Sequence, residues 1–253
     1  MATALGTLAP ELSSAKWRAL QGVKAPLTHL EPTMQTQTTT TLAEQIQDYR
    51  NGFRQNVDQA TQDTMAAATN ALKATGLDRT ARQAGSQAPD FSLPNAVGQR
   101  VNLSQLLTQG PVIINFYRGE WCPYCNLELR AFQALLPEFK KAGAQLIAIS
   151  PELPDHSLSV TEKHALEFAV LSDVGNTVAK QYGLVFTLDP SLQPIYQQFG
   201  LDIPAHNGDE RYELPMPATY VIDRDGTIRY AFIEADYTQR AEPADVLKAV
   251  EQL

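Results

Sequence analysis

The feature of this sequence that most limits its fold is a cysteine pair placed just after an apolar run. Residues 111–117 read Pro-Val-Ile-Ile-Asn-Phe-Tyr, which is typical of a central strand buried on both faces. Cys122 and Cys125 follow it, and apolar residues then recur at helical spacing through residues 129–139. The pattern predicts a strand–loop–helix unit with both sulfurs at the start of the helix.

The start of a helix changes the chemistry of a cysteine. The first backbone N–H groups of a helix lack intrahelical partners, and the macrodipole places about half a positive charge there. A thiolate is stabilised at that point, so its pKa falls below the ordinary ~8.5. Pro123 suits the first helical position, where no hydrogen-bond donor is lost. The spacing brings Cys125 close enough to Cys122 for a dithiol–disulfide cycle.

Composition excludes several classes of partner and site. The formal net charge is −8 and no basic patch stands out, which argues against nucleic acid, and no apolar stretch is long enough for a membrane span. The chain has two cysteines, both in the Cys-x-x-Cys motif, so none remains for a structural disulfide. A reducing, cytoplasmic location fits best, although the first 30 residues hold one acid, Glu11, and leave an organellar transit peptide open.

A metal at the cysteine pair would need further ligands. No other cysteine exists, and the four histidines are dispersed along the sequence without ligand spacing: His29, His156, His164 and His206. The sequence therefore predicts no metal, and no bound cofactor is needed because the sulfurs carry the electrons.

Three regions follow from composition and periodicity. Residues 1–41, rich in proline and threonine, predict a poorly ordered N-terminal tail. Residues 42–84 carry an apolar helical stripe and predict a helical extension that packs on the main domain or on a second subunit. Residues 85–253 alternate strands and helices, with a proline-rich insertion at 184–216 and an Asp-Gly hairpin turn at 225–226. We expect an α/β domain whose central mixed sheet carries helices on both faces.

Four segments resemble the alkyl hydroperoxide reductase C / thiol-specific antioxidant family, and within it the peroxiredoxin-like proteins with a Trp-Cys-Pro-Tyr-Cys site. They are residues 88–91, 116–125, 171–173 and 219–226. The resemblance implies a thioredoxin-like fold and a thiol-based antioxidant enzyme that reduces hydroperoxides through Cys122 and Cys125. It also implies a thiol reductant such as thioredoxin, glutaredoxin or glutathione, and family habit together with the apolar extension suggests a homodimer.

The chain departs from the peroxiredoxin pattern Pro-x-x-x-Thr-x-x-Cys. With the peroxide-attacking cysteine laid on Cys125, the threonine position is Cys122 and the proline position is Arg118. The arginine that helps to bind peroxide falls on Pro217. The hydroxyl and guanidinium that polarise a peroxide are thus missing at their usual places. Arg118 either replaces the charge or is a surface residue at the strand end.

Pro217 fits a thioredoxin-like template instead. Those proteins place a cis-proline opposite the cysteine pair, just before a strand, and here a β-forming run follows Pro217. We predict a cis peptide bond that exposes a backbone edge to substrate. An ordinary trans proline at a strand start is the alternative.

The remaining site predictions concern the neighbours of the pair. Trp121, Pro123 and Tyr124 are expected to form its walls. Glu120 could accept a proton, but a solvated loop charge is the favoured reading. Glu128 resembles the glutamate of a peroxiredoxin Cys-Pro-Thr-Glu segment or is a charge on the helix surface.

Which sulfur attacks stays open. In thioredoxins the attacking cysteine is the one nearest the helix start and the solvent, which here is Cys122. The peroxiredoxin alignment instead makes Cys125 the attacking cysteine. Three functions compete: a hydroperoxide reductase, a dithiol–disulfide oxidoreductase acting on protein or small-molecule disulfides, and a non-catalytic binding protein on a thioredoxin fold. Both enzymatic hypotheses require that the pair be reachable from bulk water.

Overall fold

The structure of the chain is a computed structural model that describes residues 40–253. Nearly all of the predicted tail lies outside the described residues. The strands are β1 (Ser92–Pro94), β2 (Arg100–Asn102), β3 (Val112–Phe116), β4 (Gln145–Ser150), β5 (Ala169–Ser172), β6 (Val185–Thr187), β7 (Glu213–Pro215), β8 (Ala218–Ile222) and β9 (Ile228–Ile233). The α-helices are α1 (Leu42–Asn56), α2 (Gln59–Thr75), α3 (Leu77–Thr80), α4 (Leu103–Leu107), α5 (Pro123–Lys141), α6 (Pro154–His164), α7 (Thr177–Gln181), α8 (Gln193–Gln198), α9 (Ile203–Asn207) and α10 (Pro243–Glu251), and a 3-10 helix spans Pro190–Leu192.

A five-stranded mixed sheet with the order β5-β4-β3-β8-β9 forms the centre of the molecule. β3, β4 and β5 run parallel, whereas β8 is antiparallel to both β3 and β9. All five residues of β3 are buried, because this middle strand is covered on both faces. The mixed α/β sheet predicted from the sequence is confirmed.

The two faces of the sheet carry separate apolar clusters. Successive side chains of a strand point to opposite faces, so Ile113 joins one cluster while Ile114 joins the other. The cluster that holds Ile113 also contains the apolar sides of α5 and α10, and the cluster around Ile114 contains those of α4 and α7. Helices on both faces are therefore confirmed.

The helical extension packs on the chain's own domain. Thr41 and Glu44 form a reciprocal capping box at the start of α1. Leu42 is 2% exposed and joins the same cluster as α5. The carboxylate of Glu242, just before α10, accepts the backbone N–H groups of Leu42 at 3.3 Å and Ala43 at 2.6 Å. The first turn of α1 is thereby tied to the last helix of the domain.

The proline-rich insertion folds into short helices and a separate two-stranded sheet of β6 and β7. Its side chains Tyr196, Phe199 and Leu201 join the cluster that contains the cysteine pair. Extension and insertion therefore meet over the start of α5. No helix within residues 40–253 is long and apolar enough to cross a membrane.

Candidate active site around Cys122 and Cys125

The cysteine pair lies where β3 ends and α5 begins. Cys122 is the N-cap residue of α5, with extended backbone angles of φ −87° and ψ 111°, and Pro123 is the first helical residue. Cys125 follows within the first turn, and both cysteines are free thiols. Both sulfurs therefore lie at the positive end of the 19-residue helix, as the sequence predicts.

The pair is less accessible than predicted. Cys122 exposes 1% of its surface and Cys125 exposes none. The extension contributes Tyr49 and Phe53 to the cover over Cys122, and the insertion contributes Tyr196. The expectation that Cys122 lies near solvent is therefore wrong, because it was drawn from the local motif and took no account of these two covering segments.

The cavity beside Cys122 adjoins two larger cavities, one of which borders the insertion. A cavity of about 30 Å³, close to the space of one water molecule, adjoins Cys122. Arg118, Tyr196 and Tyr237 line it and also line a largely apolar cavity of about 390 Å³ between α2 and the insertion. Three side chains thus separate the larger cavity from the one beside Cys122.

A guanidinium group that sequence reasoning missed reaches both sulfurs. Nη2 of Arg240 lies 3.3 Å from Sγ of Cys125 and 3.8 Å from Sγ of Cys122. Nη1 of Arg240 donates to Oε2 of Glu128 at 2.6 Å, and both of these side chains are almost completely buried. Of the two alternatives for Glu128, the charge on the helix surface is therefore wrong, because this carboxylate is buried and holds the arginine against the thiols.

The two thiols differ in acidity. Burial by itself would raise the pKa of Cys122, but a hydrogen bond from the Cys125 thiol and the charges of Arg240 and Arg118 lower it to about 6. Burial raises the pKa of Cys125 well above its ordinary value, and the hydrogen bond to Cys122 adds to that rise. These shifts favour the thiolate on Cys122 and the protonated thiol on Cys125.

Arg118 is buried at 2% exposure, so the reading of it as a surface residue is wrong. Its Nη2 donates to the hydroxyl of Tyr196 at 2.7 Å. Its guanidinium carbon lies 4.6 Å from the ring centre of Tyr237 and 5.0 Å from that of Trp121. These aromatic faces stabilise the cation out of water, and its charge helps to lower the pKa of Cys122.

The predicted walls of the site are present, and the predicted cis-proline is not. Trp121, Pro123 and Tyr124 line the cavity beside Cys122. No peptide bond within residues 40–253 is cis, so the prediction for Pro217 is wrong. A trans proline is the ordinary choice where it begins an extended segment, and Pro217 directly precedes β8. Its carbonyl accepts the N–H of Glu234 at 3.4 Å, so it is engaged within the protein and instead borders the larger cavity.

Glu120 and two histidines form a second polar cluster next to the pair. Oε1 of Glu120 lies 2.8 Å from Nδ1 of His156, and Oε1 of Glu152 lies 3.0 Å from Nδ1 of His206. The reading of Glu120 as a solvated loop charge is therefore wrong, since its side chain is only 17% exposed. The histidines that are far apart in sequence have ring centres 4.2 Å apart, because the loops after β3 and β4 meet α9 at this point.

Comparison with known proteins decides the family. The sequence pattern of the AhpC/TSA family matches residues 84–231, more than half of the chain. The chain belongs to the AhpC/TSA family. The resemblance inferred from residues 88–91, 116–125, 171–173 and 219–226 is thereby confirmed at the level of the family.

Named relatives of this AhpC/TSA chain are peroxiredoxins. It is 33% identical over 148 residues to a chloroplastic peroxiredoxin Q of Oryza sativa subsp. japonica, which covers 58% of each chain. It is 35% identical over 102 residues to peroxiredoxin Bcp of Escherichia coli, covering 40% of this chain and 65% of the relative. The chain thus spans less than two thirds of the length of these relatives. The structure is similar to that of peroxidoxin BcpB from Mycobacterium tuberculosis, with a TM-score of 0.54 at 24% identity, over 68% of this chain and 97% of the other.

Arg240 supplies a charge that the sequence motifs did not locate. The motif comparison made from the sequence places the family's arginine on Pro217, where this chain has no charge, whereas Arg240 brings a guanidinium to the sulfurs from the segment before α10. One sequence feature points to this cation. Glu128 lies three positions after Cys125 on the same helical face, and a carboxylate buried there needs a cationic partner. Nothing local to Arg240 marks it, because it lies in an irregular segment outside any motif.

Proposed function

We propose that this chain is a thiol-based antioxidant enzyme that reduces hydroperoxides through a Cys122–Cys125 dithiol–disulfide cycle. The observation that carries the proposal is the Arg240 guanidinium within 3.8 Å of both sulfurs, held by the buried carboxylate of Glu128. A positive charge at this place stabilises the attacking thiolate and the negative charge that develops on the peroxide oxygens. Membership of the AhpC/TSA family supports the same chemistry.

We assign the attack to Cys122. Its pKa is lowered to about 6, so it is ionised at neutral pH, and its side chain faces the small cavity. Cys125 does not line that cavity and holds its proton. Our assignment of the nucleophile thus follows the thioredoxin arrangement and not the peroxiredoxin alignment.

The proposed cycle balances without a cofactor. The Cys122 thiolate attacks the terminal oxygen of the hydroperoxide, the O–O bond breaks, and the departing alkoxide takes the proton of the Cys125 thiol. Cys122 is then a sulfenic acid. The Cys125 thiolate attacks its sulfur, the disulfide forms, and hydroxide leaves and becomes water with the proton that Cys122 released to solvent when it ionised. An external thiol returns the two electrons.

Separate cysteine variants test this assignment. Cys125→Ser should form a stable sulfenic acid with one equivalent of peroxide, detected by a dimedone adduct at residue 122 in mass spectrometry. Cys122→Ser should form none at a comparable rate. The reverse pattern would make Cys125 the attacking sulfur.

A dithiol–disulfide oxidoreductase is the second candidate. The contrast between an acidic Cys122 thiol and a weakly acidic Cys125 thiol favours it, because such a pair also suits exchange with an external disulfide. Second-order rate constants of the reduced protein with hydrogen peroxide, an organic hydroperoxide and insulin disulfide separate the candidates. Peroxide rates no higher than those of free cysteine would refute the peroxidase. Inertness to all three would leave a binding protein.

The finer features of the proposal concern role and partners. We propose that Trp121, Pro123 and Tyr124 form the walls of the site. Arg118 contributes positive charge, and Pro217 borders the larger cavity. Thioredoxin, glutaredoxin or glutathione serves as the reductant, which stopped-flow reduction of the oxidised protein by each tests directly. We retain a cytoplasmic location without nucleic acid or membrane partners, supported by the net charge of −8 and the cysteine usage.

We also retain the division into a helical extension at 42–84 and a thioredoxin-like domain at 85–253, together with a homodimer. The apolar face of α1 is used within the chain, since Leu42 and Ile46 are buried on α5 and its neighbours. A dimer must therefore use another surface. Light scattering coupled to size-exclusion chromatography tests it, and a mass near 27.8 kDa would contradict it.

A further inference from the structure

Four side chains beside the cysteine loop converge on one point. They are Glu120, Glu152, His156 and His206, and one donor atom from each lies within 4.8 Å of all the others. A tetrahedral zinc site with bonds of about 2.1 Å needs donors about 3.4 Å apart. Small side-chain rotations close the difference, so the four groups form a ready set of two imidazole nitrogens and two carboxylate oxygens.

The two carboxylates of this cluster have no lysine or arginine partner among residues 40–253. The side chain of Glu152 is 0% exposed and that of Glu120 is 17% exposed. The histidines are their ion-pairing partners. A divalent cation would neutralise both carboxylates at once.

The cluster is held in place by backbone as well as side chains. The N–H of Glu120 donates to Oε2 of Glu152 at 2.8 Å, and the N–H of Leu153 donates to the carbonyl of His206 at 2.9 Å. His156 lies in the first turn of α6, one helical turn beyond Glu152. The donors are therefore fixed by three separate chain segments, which is how a preorganised metal site differs from a surface cluster.

We propose that Glu120, Glu152, His156 and His206 bind one divalent first-row transition-metal ion, with Zn²⁺ as the representative ion. The imidazole nitrogens favour such ions over Mg²⁺ and Ca²⁺, which prefer oxygen donors throughout. The site is separate from the thiols, and the ion serves as a clamp that joins the loop after β3, the loop after β4 and α9. Because Glu120 lies two residues before Cys122, the clamp fixes the loop that carries the nucleophile.

Metal binding to the full-length protein tests the proposal. The disulfide form is used, since oxidised cysteines cannot ligate, and the protein is first treated with a chelator. Isothermal titration should give one Zn²⁺ per chain, with no comparable heat from Mg²⁺. The His156→Asn/His206→Asn variant should bind Zn²⁺ at least about 100-fold more weakly. His164→Asn, which alters a histidine of α6 outside the cluster, should bind like the wild type.

Two further measurements keep the outcome decisive. X-ray absorption of the zinc-loaded protein should report nitrogen and oxygen ligands, and zinc should raise the Tm of the wild type and of His164→Asn alone. If the double variant fails to fold by circular dichroism, His156→Asn replaces it, because this side chain is 30% exposed. Absence of stoichiometric binding, sulfur in the ligand shell, or undiminished binding by the folded variant would overturn the proposal. None of these outcomes bears on the peroxidase assays.

Discussion

Arg240→Gln should raise the pKa of the Cys122 thiol sharply. The guanidinium Nη2 lies 3.8 Å from Sγ of Cys122. Unit charges about 4 Å apart interact by about 4 kcal/mol at an effective dielectric constant of 20, which corresponds to about 3 pKa units. Removal of this charge should therefore shift the pKa from about 6 toward its ordinary value of 9.0. At pH 7 the thiolate fraction would fall from roughly nine tenths to as little as roughly one hundredth.

The thiolate absorbance of the reduced protein, followed as a function of pH, measures this shift without requiring a reagent to reach the buried sulfur. The rate of peroxide reduction at pH 7 should fall with the thiolate fraction, by up to about two orders of magnitude. Arg130→Gln is the matched control, since it removes the same charge from an exposed position on α5, the helix that begins at the cysteine pair.

The variant also leaves the buried Glu128 carboxylate without its partner, which costs about 3–5 kcal/mol of folding free energy if that group stays ionised. Arg240→Met combined with Glu128→Gln removes both charges and should restore stability while the thiol pKa stays high. If a folded Arg240 variant and Arg130→Gln show the same pKa for Cys122, the electrostatic role of Arg240 is refuted.

Three other predictions follow from the same surroundings. Tyr196→Phe removes the hydroxyl that accepts a hydrogen bond from Arg118 at 2.7 Å. The free energy of unfolding in urea should fall by about 1–3 kcal/mol. An unchanged value would mean that water replaces the hydroxyl. Gly119→Ala should destabilise the protein by more than about 2 kcal/mol in the same assay, because φ of Gly119 is +150° and the added Cβ would overlap the indole nitrogen of Trp121. An unchanged midpoint of urea unfolding would contradict that geometry. The lowered pKa of Cys122 should stabilise the reduced protein above pH 9.0, and this contribution should be lost as the pH falls through about 6. The free energy of unfolding of the reduced protein, measured relative to that of Cys122→Ser, must therefore decline from pH 9 to pH 5. A rise over this range would refute the assignment of the thiolate to Cys122.

The parts of the fold that local patterns determine were predictable. The apolar run of β3, the proline at the start of α5 and the Asp-Gly turn before β9 each act over a few residues, and the structure contains all three. The position of the thiol pair at the helix start followed from those elements, because a strand that ends at a helix leaves little freedom for the residues between.

The missed features all depend on contacts between distant segments. Arg240 reaches a sulfur 115 positions earlier in the chain, and His206 meets a carboxylate 54 positions before it. Glu120 was predicted to be a solvated charge and Glu128 was left between two roles, and only the surrounding segments reveal that Glu120 is half-buried and Glu128 is buried. The cover over Cys122 likewise comes from an extension and an insertion that no motif connects to the site.

The guanidinium beside the sulfurs would also influence the reduction of the disulfide in the proposed cycle. Its charge favours the thiolate and so stabilises the dithiol relative to the disulfide. With a pKa of about 6 in place of 9.0, the dithiol gains about 1.4 kcal/mol at pH 7, which raises the two-electron reduction potential by about 30 mV. A disulfide of higher potential accepts electrons from a thiol donor more readily. The groups that lower this pKa, the Cys125 hydrogen bond, Arg240 and Arg118, would thus favour both halves of the proposed cycle.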